Sequence, residues 1–357
     1  MELNSMSDLQ QLVREGFTDW EQCGNIRAVY KDGLALFNYT HAAQYEARWN
    51  WFEQVSRGLI LDAATGEVVA RPFDKFWNWE ERGRTSTADI VTVTEKIDGS
   101  LGILYRTGHH GQYAIATRGS FDGEHAQHAS KILAAGYDLY SPELPDEYTL
   151  LFEIVYPDNR IVVDYSGLDD LYLLAVRNRH TGDYLPFYPD VYELAGLYGF
   201  PTPLVCSFNG VTDIMAATDN LDGNAEGWVV EFSDGQRFKF KGDRYLELHR
   251  IVTNARFKRV LQEVANGTFG GMIATVPDEL LGQIQSWKDE IDQVASGIVA
   301  GVEVAFEAAP KNNRRDFAQW VKVHHLDLAP YLFYMLDGKG IAPLIYKLAF
   351  RGREVQP

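Results

Sequence analysis

The chain has 357 residues, with 50 acidic against 33 basic side chains and a formal net charge of −17. Hydrophobic content of 46% and charged content of 23% exclude a disordered or fibrous chain, and the length allows two domains. Two cysteines, Cys23 and Cys206, exclude a disulfide framework and a Cys-rich zinc site, and no apolar run is long enough for a membrane helix.

The N-terminus is acidic where a signal peptide needs a basic region, so a reduced, cytoplasmic setting without membrane association is expected. Leu9, Leu12 and Val13 share one side of a predicted helix in the first 16 residues. Asp32-Gly33 interrupts two apolar runs within 27–39, a strong hairpin signal. Strands are predicted at 57–61 and 68–71 about an Ala-Thr-Gly turn, and three more follow from Ile90, joined by Gly-containing turns. A helix at 124–135 precedes strands at 149–156 and 171–177, a short helix at 191–197, and strands at 227–232 and 236–241. Helical periodicity then takes over, at 243–264, 277–306, 314–323 and 341–350. Leu280, Ile284, Trp287, Ile291, Val294, Ile298 and Val302 recur at spacings of three and four, the stripe of a long amphipathic helix. The expected fold class is α+β, a mainly antiparallel-sheet domain over 1–245 followed by an all-helical domain over 246–357.

Glu95-Lys96-Ile97-Asp98-Gly99-Ser100 lies between strand-like VTVT and LGILY, which places Lys96 where a strand ends in a tight turn. A lysine there can project into a cleft, with Gly99 allowing close approach of a phosphate or the turn geometry. Such a lysine becomes a nucleophile when desolvation or a nearby cation lowers its pKa. Taken alone, the string reads better as a surface hairpin, because Asp-Gly is a common turn former. Glu153 interrupts the apolar strand 150–155; buried, it needs a partner or a function, unless alternation turns it to solvent. Lys239 and Lys241 alternate along a strand and share a face with Phe240 opposite, which suits a phosphate groove or an exposed face. Arg57 opens a strand, and Lys75 lies among Phe73, Phe76 and Trp77, as a buried stem with a polar tip or a snorkelling surface lysine. His125 and His128 sit three apart beside Glu124 without a complete metal set, and read as a solvated helix face. His109-His110 and His324-His325 read as surface, and neither a P-loop nor a dinucleotide glycine fingerprint is present.

Taken in order, five segments resemble motifs I, III, IIIa, IV and V of the covalent nucleotidyltransferases, the superfamily of polynucleotide ligases and mRNA capping enzymes. They are Lys96-x-Asp98-Gly99-Ser100, LFEIV at 151–155, LYLLAVR at 171–177, EGWVV at 226–230 and FKFK at 238–241. SRGLILD at 56–62, ARPFDKFWNWEE at 70–81, ATRGSF at 116–121 and FEIVYPDNRIVVDYSG at 152–167 resemble the T-even bacteriophage RNA ligase 1 family. The resemblance implies an antiparallel-sheet nucleotidyltransferase (adenylyltransferase) domain and an ATP-dependent RNA ligase. It would seal 5′-phosphate and 3′-hydroxyl RNA ends through a lysyl-AMP intermediate and an adenylylated RNA end, in RNA repair, with tRNA as one candidate substrate.

In that family Lys96 would be the nucleophile, Lys239 and Lys241 would contact the α-phosphate, and Arg57 and Lys75 the β- and γ-phosphates. Glu95 would help to bind the nucleotide, Arg118 stands at a basic active-site position, and Glu153 would lie on the ribose or near the metal. Glu226 resembles a metal-associated glutamate, and Asp98 would help with the ribose or the metal. Magnesium or manganese would be held mainly through waters and phosphate oxygens. Arg160 and Arg177 are candidate RNA-end or phosphate contacts. The implied partners are ATP and RNA ends, for a monomer in the cytoplasm of a bacterial or phage-infected cell. Two rival readings stand beside this one: a GTP-dependent capping-type enzyme or DNA ligase, and a non-catalytic RNA-end-binding protein. Capping enzymes and DNA ligases usually carry an OB-type barrel after motif V, whereas 246–357 reads helical.

The acidic total argues at first sight against nucleic acid, since phosphate neutralisation needs Lys and Arg. Yet Arg237, Lys239, Lys241, Arg244, Arg250, Arg256, Lys258 and Arg259 face only Asp243 and Glu247 over 237–259. That run predicts a narrow basic track on an acidic body, with RNA binding that weakens steeply with salt.

Overall fold

Asp32 and Gly33 adopt φ of 49° and 78° in the computed structural model, closing a tight turn between β1 (Ile26–Lys31) and β2 (Leu34–Tyr39). The structure describes residues 1–40, 42–43, 49–107, 111–252, 257–275 and 278–350. With β3 (Arg57–Asp62) and β4 (Val68–Ala70), this hairpin becomes a four-stranded antiparallel sheet in chain order. A second antiparallel sheet comprises β7 (Ser100–Arg106), β8 (Tyr113–Thr117), β9 (Tyr148–Val155) and β10 (Asp170–Asn178), ordered β10-β9-β7-β8. The third, ordered β5-β12-β11-β6, comprises β5 (Trp77–Asn78), β6 (Ile90–Glu95), β11 (Gly227–Phe232) and β12 (Arg237–Lys241). Its pairs are antiparallel except β5 on β12.

β6 and β7 flank the lysine turn yet belong to different sheets. The stretch 96–99 therefore carries the chain from one sheet to another and does not close a hairpin. Gly99 has a packing role here: a Cβ would lie 2.5 Å from the carbonyl oxygen of Ile154 in β9.

Leu36 and Ile60 of the first sheet are buried against Ile103 and Leu151 of the second, so these sheets share a core. The other face of the first sheet packs on α1 (Met6–Arg14) and α2 (Trp51–Val55), through Phe37, Leu9 and Phe52. The other face of the second packs on α3 (Glu124–Gly136) and α4 (Tyr192–Tyr198), through Phe152, Leu173, Leu133 and Ala195. Coverage on both faces explains the near-continuous apolar run of β9. Val93, Val230, Phe238 and Phe240 of the third sheet bury Ile214 of α5 (Val211–Asp219), a short helix with too few turns to show a period in sequence.

The chain divides into two units, Met1–Val252 and Thr253–Pro357. The first includes α6 (Asp243–Val252), beyond the boundary expected at 245, and Tyr245 of that helix is 2% exposed. Every described element of the second is a helix: α7 (Phe257–Asn266), α8 (Phe269–Thr275), α9 (Asp278–Ala308), α10 (Arg314–His324), α11 (Ala329–Leu336) and α12 (Ala342–Leu348). Ile284, Ile291 and Val302 of the α9 stripe are buried, with Trp287, Val294 and Ile298 packed beside them; the Leu280 side chain lies outside the described residues. Among the described residues no helix is long and apolar enough to cross a membrane.

Arg177, a candidate RNA contact in sequence, is instead an internal tie. It is 3% exposed, and its guanidinium forks onto Asp74 with hydrogen bonds of 2.9 and 2.8 Å. Its Nε donates to the Gly182 carbonyl at 2.8 Å, and it lies 4.6 Å from the Tyr184 ring centroid. Arg237 meets the same ring at 3.8 Å, so β10 and β12 are linked through one tyrosine. Replacing Arg177 by Met is expected to cost about 2–3 kcal/mol in urea unfolding, because Asp74 and the carbonyls of Pro72 and Gly182 lose their donor together.

Candidate active site

Lys96 follows β6, and its amide donates to the Gly227 carbonyl at 2.8 Å. Glu226 directly precedes β11, Lys241 ends β12, and the register pairs Gly227 with Lys241 and Trp228 with Glu95. Three strand ends thus meet at one place. There Lys96 Nζ donates to Glu226 Oε2 at 2.8 Å, and Lys241 Nζ lies 3.0 Å from Glu226 Oε1. Burial pushes the Glu226 pKa up, but the ammonium groups of Lys96 and Lys241 outweigh it and hold the carboxyl below its usual range. Gly227 has φ of 144°, and a Cβ there would stand 1.8 Å from the Phe240 carbonyl oxygen. Glycine is therefore the residue that lets Glu226 approach both lysines.

Lys239 shares the face of Lys241, while Phe238 and Phe240 point into the core. Its Nζ lies 5.1 Å from the Phe76 ring centroid, and the Arg57 guanidinium lies 5.8 Å from the same ring. Glu153 of β9 does not face solvent; it is 9% exposed and interacts with Lys96, Glu226, Asp98 and Arg57. Burial pushes its pKa up to about 7, against the pull of Lys96 and aided by the repulsion of Glu226 and Asp98.

Asp98, expected near the ribose or the metal, is engaged as an anchor. Its Oδ2 accepts the amides of Val162 and Val163, each at 2.9 Å, and its Oδ1 accepts the Tyr245 hydroxyl at 2.8 Å. Its own amide donates to the Tyr165 hydroxyl at 2.7 Å. Burial, with Glu226 adding repulsion, raises the Asp98 pKa.

Lys75 and Arg118 gather around aromatic rings. Lys75 is 6% exposed, with Nζ 5.7 Å from the Tyr39 ring centroid and 5.4 Å from that of Trp49. Arg118 Nη1 donates to the Tyr39 hydroxyl at 3.0 Å. Neither Tyr39 nor Trp49 was a sequence candidate, because an aromatic beside a strand reads as core. The Glu95 amide donates to the Leu204 carbonyl at 2.8 Å. Burial and the nearby Glu95 carboxylate raise the pKa of Tyr172, which is the register partner of Glu153. Tyr165, Tyr172 and Tyr245 were likewise missed; only Tyr172 carries a signal, a polar hydroxyl in the apolar segment 171–176.

Other candidates lie apart from this group. Arg160 is exposed and pairs with Asp164 at 3.0 Å. His125 Nδ1 is 2.7 Å from the Tyr156 hydroxyl, and His128 Nε2 is 2.8 Å from Asp169. His109 and His110 lie outside the described residues. The basic run does not form a surface track at its start: Arg237 pairs with Glu231 at 2.7 Å, Lys239 is buried, and Lys241, half-buried, pairs with Glu226 at 3.0 Å. Arg244, Lys258 and Arg259 are exposed, whereas Arg256 and the Arg250 side chain lie outside the described residues. Among the described residues no three His, Cys, Asp or Glu side chains form a metal-ligand set.

Two outcomes follow from this geometry. Gly227→Ala is expected to lose about 2–4 kcal/mol, read as a lowered thermal midpoint, because a backbone carbonyl cannot move aside. For Glu153 the folded pKa of about 7 lies above its ordinary 4.5, so its stability contribution is complete below 4.5 and is lost as pH rises through 7. Glu153→Gln is therefore expected to be more stable than wild type above pH 7, by up to about 3 kcal/mol, with the gap closing toward pH 4.5 in urea titrations.

A family model described as RNA ligase, of the T4 RNA ligase 1 type, matches residues 55–245. The putative bifunctional polynucleotide kinase/RNA ligase of Autographa californica nuclear polyhedrosis virus is 30% identical over 256 residues, 62% of this chain and 34% of that protein. RNA ligase 1 of Bacteriophage TS2126 is 30% identical over 227 residues, 55% of this chain and 52% of that one. This chain thus spans a third to a half of the length of these relatives. An archaeal ATP-dependent RNA ligase structure aligns over 78% of each chain at 16% identity, with a TM-score of 0.49. With more than half of its length inside the family model, the chain belongs to the RNA ligase family of the T4 RNA ligase 1 type.

Proposed function

We propose that the chain is an ATP-dependent RNA ligase that joins 5′-phosphate to 3′-hydroxyl RNA ends. The observation that carries this reading is the buried Glu226 shared by Lys96 and Lys241, at 2.8 and 3.0 Å. Beside it stands a second buried carboxylate, Glu153, whose pKa burial pushes up to about 7, and strongly perturbed groups gather at functional sites.

In the first step the Lys96 amine attacks the α-phosphorus of ATP. The bond to the bridging oxygen breaks, pyrophosphate leaves with the electron pair, and lysyl-AMP remains. Lys96 must shed its proton first; at rest its ammonium donates to Glu226, which keeps Nζ aimed into the site. Lys239 and Lys241 meet the charge that grows on the α-phosphate, while Arg57 and Lys75 take the β- and γ-phosphates. Arg118 holds Tyr39 beneath Lys75, and Glu95 lines the nucleotide site. In the second step an oxygen of the RNA 5′-phosphate attacks the same phosphorus and the Lys96 nitrogen departs. In the third, a 3′-hydroxyl attacks the 5′-phosphate phosphorus and AMP leaves.

Magnesium or manganese fits the neighbouring carboxylates of Glu153 and Glu226 as an ion held mainly through waters and substrate phosphates. Glu153 and Glu226 would hold it, whereas Asp98 serves the fold. Bound there, the ion supplies positive charge to the phosphates. Repair of cleaved RNA, tRNA included, by a monomer in a bacterial or phage-infected cytoplasm is the corresponding use. An all-helical second unit, with no strand among its described residues, supports RNA ligase over a capping enzyme or DNA ligase. Lys96, Lys239 and Lys241 together support catalysis over mere end binding.

The test is incubation with α-labelled ATP, GTP or NAD and magnesium, followed by denaturation. Label from ATP alone is expected to stay on the wild-type chain and to vanish with Lys96→Ala. Absence of label from every nucleotide would overturn the mechanism, and joining assays on RNA and DNA ends distinguish the substrates.

A further inference from the structure

A cation outside the assigned set ends the row that begins at Arg118. Arg118 bonds Tyr39 at 3.0 Å, and Lys75 lies 5.7 Å from the Tyr39 centroid and 5.4 Å from that of Trp49. Trp49 stands edge-on to Trp77 at 6.3 Å, and the Arg84 guanidinium lies 4.2 Å over Trp77. Cations and rings thus follow one another in a row, with Trp49 and Trp77 in direct contact between Lys75 and Arg84. The outer end is fixed to the strand that carries Lys239: Asn78 pairs with Lys239 in register, and the Trp79 amide donates to the Lys239 carbonyl at 2.9 Å.

Arg84 is aimed by a strained loop. Glu80, Arg82 and Gly83 have φ of 62°, 57° and 74°, and the left-handed values at Glu80 and Arg82 persist only where surrounding contacts enforce them. Here the Glu80 amide donates to the Arg84 carbonyl at 3.0 Å, and both the amide and Nδ2 of Asn78 donate to Glu81 Oε2 at 3.1 Å. The effect is to turn Arg84 back over Trp77. Among the described residues Arg84 has no ion-pair partner, in a chain with 50 acidic residues.

We propose that Arg84, laid on Trp77, is a subsite for a backbone phosphate of the RNA strand that presents its 5′ end; this rests on the ligase reading. In-line displacement gives the reason for RNA. Pyrophosphate leaves opposite Lys96, and the RNA 5′-phosphate then enters opposite Lys96, along the same side. Arg57 and Lys75 serve the departing and then the entering group, and a cation farther along the row meets the next phosphate of a chain. A guanidinium backed by an indole keeps its planar fork for phosphate oxygens. The terminal phosphate of ATP has the same chemistry, so the experiment separates the two sources.

Lysyl-AMP formation from α-labelled ATP and transfer of AMP from the adenylylated chain to a 5′-phosphorylated single-stranded RNA are measured on the full chain. Wild type, Arg84→Ala and Arg84→Lys are compared. Arg84→Ala is expected to raise the half-saturating RNA concentration about tenfold more than that of ATP, a typical loss for one charged contact. The log–log salt dependence of the RNA step should flatten by about 0.7, one phosphate contact on a single strand. Arg84→Lys should restore that slope and only part of the affinity. Equal losses for ATP and RNA assign Arg84 to the triphosphate and overturn the subsite, as does no loss in either. A weakened RNA step with an unchanged salt slope means a structural role and overturns it too. A wild-type chain that forms no adenylate overturns the ligase reading, and the subsite with it.

Discussion

A carboxylate with two lysines on it organises this molecule. Glu226 is 3% exposed, and an isolated charge at that depth would be expelled or neutralised. Lys96 and Lys241 keep it ionised, and it in turn holds them at fixed points 2.8 and 3.0 Å away. For the three to meet, β6, β11 and β12 must end together, and Gly227 must lie where no side chain fits. The geometry of one buried charge thus dictates strand register and a glycine.

Around it the cations are placed by rings as much as by acids. Phe76 receives Lys239 and Arg57, and Tyr39 with Trp49 receives Lys75. A ring face steadies a positive group without itself bringing a negative charge. Charge summed along the chain therefore says little about which groups gather at one site.

What could be read in sequence was what neighbours along the chain determine. The Asp32-Gly33 turn, the shared face of Lys239 and Lys241, and the stripe of α9 depend on a few adjacent residues, and all appear as expected. The sheet to which a strand belongs is a long-range matter, so the lysine turn looked like a hairpin when it is a crossing. Asp98 finds Tyr245 across 147 residues, and Arg177 finds Asp74 across 103, distances at which no periodicity speaks. The start of the basic run is likewise engaged, since Arg237 and Lys241 already have Glu231 and Glu226. Resemblance to a family supplied the candidate residues of the site; it did not supply the tyrosines and tryptophans that hold them.

The crossing at 96–99 has a consequence for engineering. A lysine on a hairpin is a portable part, because the two strands that hold it can be moved as a unit. Lys96 is held by one sheet through Gly227 and by another through Gly99 packed on Ile154. Transplanting this centre onto a foreign scaffold would require both sheets at their native spacing, so the smallest transferable piece is nearly the whole first unit.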